Sequence, residues 1–300
     1  MSKSIFSNQN IISWLQYFSD NTDLDLEHVK LLDITGRDKN LIPAVEAHRC
    51  VLVFTQAGNM DIFYKMWEVG LGECEIVYNE GSEPVGPIKR NKVNDMIDRG
   101  INASAGMIIL NPNARSILRF GMDNQQFAMG SVKYVGSEIR SVILSKMMLH
   151  ESKNICVISG ESIVVEAAMT AGEGTVIAVE YKERDRETME ENVSRFGLTN
   201  VEIVDHVGED TMGNLPVPET CMVVASASFE QELEYLTKIN PKMEFVIYTL
   251  DFRVAGSIHN ILSRFNISDI TVIQISVAKL TGRNVFENQP APWIITAKGN

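Results

Sequence analysis

The chain has 300 residues, 45% hydrophobic and 22% charged, with a formal net charge of -12. That length accommodates two ordinary domains, each with a real core, and the composition is typical of a globular protein. The acidic balance argues against a general nucleic-acid binder. No run approaches the ~18 apolar residues of a membrane span, and the start MSKSIFSNQNIISW has no apolar signal core, so a cytoplasmic protein is expected.

In chain order, VKLLDI from Val29, CVLVFT from Cys50, EIVYNE from Glu75 and MIILN from Met107 read as short buried strands. The stretches NLIPAVEAH and NMDIFYKMWEVG between them read as helices. Alternation of this kind predicts a parallel or mixed sheet covered by helices. From Ala114, ARSILRFGMDNQQFAMGSVKY has weak periodicity and reads as loop. The domain boundary is set there, giving residues 1–118 and 119–300.

The second part opens with SEIRSVILSKMML, an amphipathic helix with Ser137 as N-cap and Glu138 in its first turn. Five β–α steps follow, with strands NICVIS, TVIAVE, VEIVDH, CMVVAS and EFVIYT. The intervening helices are SIVVEAAMTAG, ERDRETMEENVSRFG, FEQELEYLTKI and FRVAGSIHNILSRFN, and Gly197 ends the second of them. DITVIQISVA and APWIITAKG then come without a helix between them and are expected to pair antiparallel. The fold class is α/β: a Rossmann-like, doubly wound sheet with a terminal antiparallel hairpin, plus a smaller N-terminal α/β subdomain. This is the layout of the class I S-adenosylmethionine-dependent methyltransferases.

Cys50, Cys74, Cys156 and Cys221 form no CxxC pair, and the five histidines show no ligand spacing. Neither a disulfide nor a structural metal is expected. The chemistry is sought instead in VISGESIVVEAAMTAGEGTVIAVE, from Val157 to Glu180. Ligands in open α/β sheets sit at the carboxyl ends of the strands, at the switch point. Gly160 can make the first turn, and Ser159 or Ser162 can hydrogen-bond a ligand there. Ser162 is equally an N-cap, and Glu161 adds a negative charge. Glu180 ends the second strand, where an acid accepts hydrogen bonds from ribose hydroxyls. Lys279, Arg283 and, further off, Lys133 and Arg140 are cations suited to a polycarboxylate substrate. Methyl transfer from a sulfonium needs alignment and exclusion of water more than acid–base groups, so no catalytic set is assigned.

From about Val132 onward the chain resembles the C-terminal half of the precorrin-6Y C5,15-methyltransferase family of cobalamin biosynthesis, the decarboxylating carbon-15 methyltransferases. The stretches that carry the resemblance are SEIRSVILSKMML, VVEAAM, IAVEYKERDRETMEENVSRFGLTNVEIV, the LPVPE turn, Thr249 to Asp251, and QISVAKLTGRNVFENQPAPWIIT. The segment LLDITGRDKNLIPAVEAHRCVLVFTQAGNMDIFYKMWEVGLGECEIVYNEG looks like the second subdomain of a tetrapyrrole methylase, with Gly36-Arg37-Asp38 at its "GR" element. Residues 1–118 are therefore similar to a truncated methylase subdomain. The resemblance implies S-adenosylmethionine as cofactor and a corrin-type tetrapyrrole as substrate. It also implies a homo-oligomer, and a separate chain is one way to supply the missing methylase subdomain. It places Ala225, after the fourth strand, at a cofactor-contact position where the family has a glycine.

Two readings follow. One is an enzyme, methylating carbon 15 with loss of a carboxyl group. The other is a non-catalytic relative that binds a tetrapyrrole or serves as a scaffold. The single glycine of the first turn favours the second, and Glu180 with the C-terminal match favours the first.

Overall fold

A computed structural model describes residues 8–35, 40–59, 61–97, 105–114, 120–130, 135–280, 282 and 284–300. The chain divides into two compact units, 1–118 with 194–199, and 119–193 with 200–300.

The first unit is a mixed sheet with helices on both faces. Its elements are α1 (Asn8–Asn21), β1 (Lys30–Asp33), α2 (Leu41–Ala47), β2 (Cys50–Phe54), α3 (Asp61–Glu68), β3 (Glu75–Tyr78), β4 (Lys89–Lys92) and β5 (Gly106–Leu110). The sheet order is β1-β2-β5-β3-β4, with only β1 and β2 parallel. One face is filled by α2 and α3 through Val45, Phe63 and Met66. The other is filled by α1 through Trp14, Tyr17 and Phe18. Gly106 permits that second layer, because a Cβ there would lie 2.7 Å from the Trp14 ring. The Gly36-Arg37-Asp38 element lies outside the described residues.

The second unit contains α4 (Ser137–Lys146), β6 (Ile155–Ile158), α5 (Glu161–Thr170), β7 (Val176–Val179), α6 (Glu183–Arg195) and β8 (Val201–Val204). It continues with α7 (Glu209–Met212), β9 (Thr220–Val224), α8 (Phe229–Ile239), β10 (Glu244–Thr249), α9 (Phe252–Ser263), β11 (Ile267–Gln274), β12 (Ala278–Leu280), β13 (Phe286–Asn288) and β14 (Trp293–Gly299). The sheet order is β11-β14-β10-β9-β6-β7-β8. From β10 to β8 every pairing is parallel, while β14 runs antiparallel to both β10 and β11. This is the doubly wound sheet with a late antiparallel strand that the sequence predicts. Wholly buried runs such as ICVI and VIAV form its centre, as a sheet covered on both faces requires. Cys156, Ile158, Val179 and Val223 pack against α7, α8 and α9, and α5 lies against β6 and β7.

Two start signals differ from expectation. Gly136, not Ser137, caps α4. Gly160, not Ser162, occupies the cap of α5. Both serines lie one or two positions inside their helices. Gly197 behaves as expected: at φ 59 it takes the left-handed conformation that ends α6.

Candidate functional site

The chain runs β6→β7→β8 to one side and then returns to place β9 on the other. The topological switch therefore lies between β6 and β9, and their carboxyl ends border the crevice where ligands bind in such sheets.

The polypeptide leaves β6 through Ser159, whose φ of 56 is left-handed. A non-glycine residue held there costs about 1 kcal/mol or more. Its N–H donates to the Val179 carbonyl at 3.0 Å, which holds the turn against β7. Gly160 then begins α5. A Cβ at this position would lie 2.4 Å from Val157 Cγ1, so any larger residue would have to displace that buried valine.

Three buried acids gather around this turn. Glu180, directly after β7, is 2% exposed, as is Asp185, and Glu161 is 5% exposed. The Glu161 N–H donates to Glu180 Oε1 at 3.3 Å, so Glu180 rests on the amino end of α5. A Cβ on Gly130 would lie 2.4 Å from Glu161 Oε1 and 3.0 Å from Asp185 Oδ1, so the Gly130 backbone lies against both carboxyl groups. Burial, with the charge of Glu161 next and that of Asp185 smaller, raises the Glu180 carboxyl to about 8, against the opposing pull of the Glu161 and Gly160 amides.

On the opposite flank of the β6 turn, Ala225 follows β9, with its N–H on the Tyr248 carbonyl at 2.9 Å. Ser226 and Ser228 share a hydroxyl hydrogen bond of 2.8 Å, and Ser228 donates to Glu232 Oε1 at 2.7 Å. The Tyr181 hydroxyl donates to the same oxygen. A polar chain thus runs from the end of β7 to the end of β9. Burial, then the Glu232 hydrogen bond, raises the Tyr181 phenol well above its usual range.

Two sequence expectations are corrected here. Arg140 is no surface cation: it is completely buried. Its Nε pairs with Glu166. Nη1 donates to Asn124 Oδ1 at 2.8 Å, to the Val135 carbonyl at 3.2 Å and to Ser162 Oγ at 3.3 Å, and Nη2 donates to the Met122 carbonyl. The guanidinium also lies 4.9 Å from the Phe127 ring centroid. Glu166 in turn accepts the Gly121 and Met122 amides at 2.7 and 3.1 Å. Arg140 therefore ties Met122, Asn124 and Val135 to α5, and it is buried away from any substrate at the surface. Ser162 faces this clamp, 2% exposed, and not the turn it was expected to serve.

Lys279 sits on the β12–β13 hairpin, half-exposed and paired with Glu138 at 2.8 Å. Arg283 and Lys133 lie outside the described residues. Of the expected residues, then, Ser159, Gly160, Glu180 and Ala225 meet at the carboxyl ends of the central strands, and Ser162 and Arg140 meet in the interior. Sequence reasoning missed Asp185, Tyr181, Glu232 and Glu166. Only Glu166 carried a readable signal: a lone acid inside SIVVEAAM lies in a buried helix and must find a partner.

No protein-family model and no curated protein matches the chain. Solved structures do. A precorrin-6Y C5,15-methyltransferase from Geobacter metallireducens is 22% identical, covering 60% of this chain and 98% of its own at a TM-score of 0.56. The C-terminal domain of the Rhodobacter capsulatus precorrin-6Y C5,15-methyltransferase is 18% identical over 61% of this chain and 100% of its own, with a TM-score of 0.51. A precorrin-8W decarboxylase from Methanobacterium thermoautotrophicum is 16% identical over 60% and 100%, with a TM-score of 0.50. Over about three fifths of its length, this chain has the fold of these precorrin methyltransferase and decarboxylase structures.

Proposed function

We propose that the second unit is an S-adenosylmethionine-dependent methyltransferase acting on a precorrin-type tetrapyrrole, methylating carbon 15 with loss of a carboxyl group. One observation carries the reading: a buried acid, Glu180, stands at the carboxyl end of β7 against the amino end of α5, beside the switch point of the sheet. A fold shared with the precorrin enzymes supports the substrate class.

The donor set fits the cofactor in part. Glu180 is an acceptor for a ribose diol, and Glu161 and Asp185 favour the cationic ammonium and sulfonium. The cofactor's own carboxylate does not fit the α5 amino end, because Glu180 takes the Glu161 amide there and Glu161 adds negative charge. The residues therefore fit the ribose and the cationic part of the group, and the α5 amino end is not the part of the site that would hold its carboxylate. When bound, it supplies an electrophilic methyl on sulfur. This chain's residues would bind and orient it: Glu180 would hold the ribose diol, and Tyr181, fixed by Glu232, stands beside it. The side chains of β6, β7 and β9 beneath the crest are buried and hold its floor in place.

The first unit is proposed as a tetrapyrrole-methylase-like subdomain, and the assembly as a homo-oligomer. The test is incubation of the purified chain with the cofactor and precorrin-6-type substrates, read by mass spectrometry. Gain of one methyl and loss of one carboxyl support the reading. Unchanged substrate in the presence of bound cofactor rejects the assigned reaction.

A further inference from the structure

The carboxyl edge of the sheet carries a second feature, on the β10 and β14 side of the switch point. Thr249 ends β10 and is the register partner of Trp293, the first residue of β14, so both stand on the crest that bears the cofactor turn. The residues that follow Thr249 are joined by local hydrogen bonds. The Asp251 N–H donates to Thr249 Oγ1 at 3.0 Å, and Asp251 caps α9 by accepting the Arg253 N–H at 2.8 Å. It also pairs with Arg253 Nη2 at 2.9 Å. This small network turns two large apolar side chains outward. Leu250 is 50% exposed and Phe252 is 71% exposed. The Phe252 ring lies 5.9 Å from that of Trp293, tilted by 59°.

Single exposed apolar residues are ordinary. Here, however, two of them stand two positions apart in the chain, one of them against a tryptophan, on the edge where doubly wound sheets bind ligands. From β6 the rim lies two to three strands away along the order β6-β9-β10-β14, roughly 10–15 Å at one strand spacing each. A small acceptor bound at the β6 turn would not reach it, whereas a wide, flat molecule would. Arg253 adds a cation at the edge of the rim, its side chain 90% exposed.

We infer that Leu250, Phe252 and Trp293 form a platform for the flat face of a carboxylate-bearing macrocycle, with Arg253 at its charged margin. The inference deepens the proposed function and rests on it for the identity of the occupant. It names the rim as the substrate subsite, in place of the buried Arg140.

The test uses cobyrinic acid, a soluble corrin polycarboxylate, in equilibrium dialysis against the full chain and the double variant Leu250→Ser/Phe252→Ser. Both positions are exposed, so the variant keeps its core. Binding to the native chain, weakened about tenfold or more in the variant, is the expected result. No binding to the native chain, or equal affinity for both, overturns the inference. A change of oligomeric state in the variant at equal affinity overturns it too, and assigns the rim to a second copy. A parallel titration with S-adenosylmethionine separates the two claims. If that cofactor fails to bind while cobyrinic acid still distinguishes the variant, the methyl-transfer reading falls and the platform stands. If the cofactor binds both proteins alike and cobyrinic acid does not discriminate, the platform falls and the reading stands.

Discussion

Two buried carboxyl sites meet at helix α5, and they are built in opposite ways. Glu166 meets a buried guanidinium and two backbone amides. Glu180 meets backbone amides and two further acids, and among the described residues no basic side chain pairs with it. Burying an ionised carboxylate is expensive unless it is paired and hydrogen-bonded. The first site satisfies that condition and fastens Gly121, Met122, Asn124 and Val135 to the domain. The second does not, and the acid there keeps its proton to a high pH. The difference separates a structural charge from one whose state answers to whatever ligand arrives.

The comparison breaks first at Arg140. Arg140→Met leaves Glu166 buried without its cation and should cost about 3–5 kcal/mol, read as a lowered denaturation midpoint in urea. A loss below about 1 kcal/mol would mean that the clamp is not the stabilising element it resembles.

Glu180 gives an effect of similar size and a definite pH signature. Its carboxyl sits at about 8 in the fold against an ordinary 4.5. Between these values the native state holds a proton that the unfolded chain has lost, so stability falls as pH rises through that window. The fall is on the order of 4 kcal/mol by pH 8. Glu180→Gln removes the ionisation and should flatten the profile, measured by denaturation at a series of pH values. An unchanged slope would place the titration elsewhere.

Tyr181→Phe is the smallest change. It removes the phenol donor from Glu232, which is 2% exposed, and should cost about 1–2 kcal/mol. The corresponding thermal shift should be accompanied by little change at the Arg140 clamp, as amide exchange in segment 121–130 would show.

Much of the fold was legible because apolar runs such as CVLVF, ICVI and VIAV are long enough to mark buried strands and are punctuated by helical patterns. Less visible elements lacked that signal. β4 is the charged sequence KRNK, readable as a strand only through its pairing with β3. α1 shows itself in Trp14, Tyr17 and Phe18, whose spacing makes sense once Gly106 opens room for the tryptophan. In the site, Glu180 was placed by its position at the end of a strand. Arg140 was misread because its sequence neighbours say nothing of Glu166, 26 positions away. Asp185 and Gly130 were invisible for the same reason: the contact that joins them is made by the fold, not by spacing along the chain.

The most direct test of the account is a calorimetric titration of the full chain with S-adenosylmethionine, beside the Glu180→Gln variant. The account predicts binding to the native chain and a loss of about tenfold or more in the variant, because the cationic cofactor draws the proton off Glu180 and glutamine cannot supply that charge. Absence of binding, or equal affinity in both proteins, would contradict the assignment of the β6–α5 turn as a cofactor site.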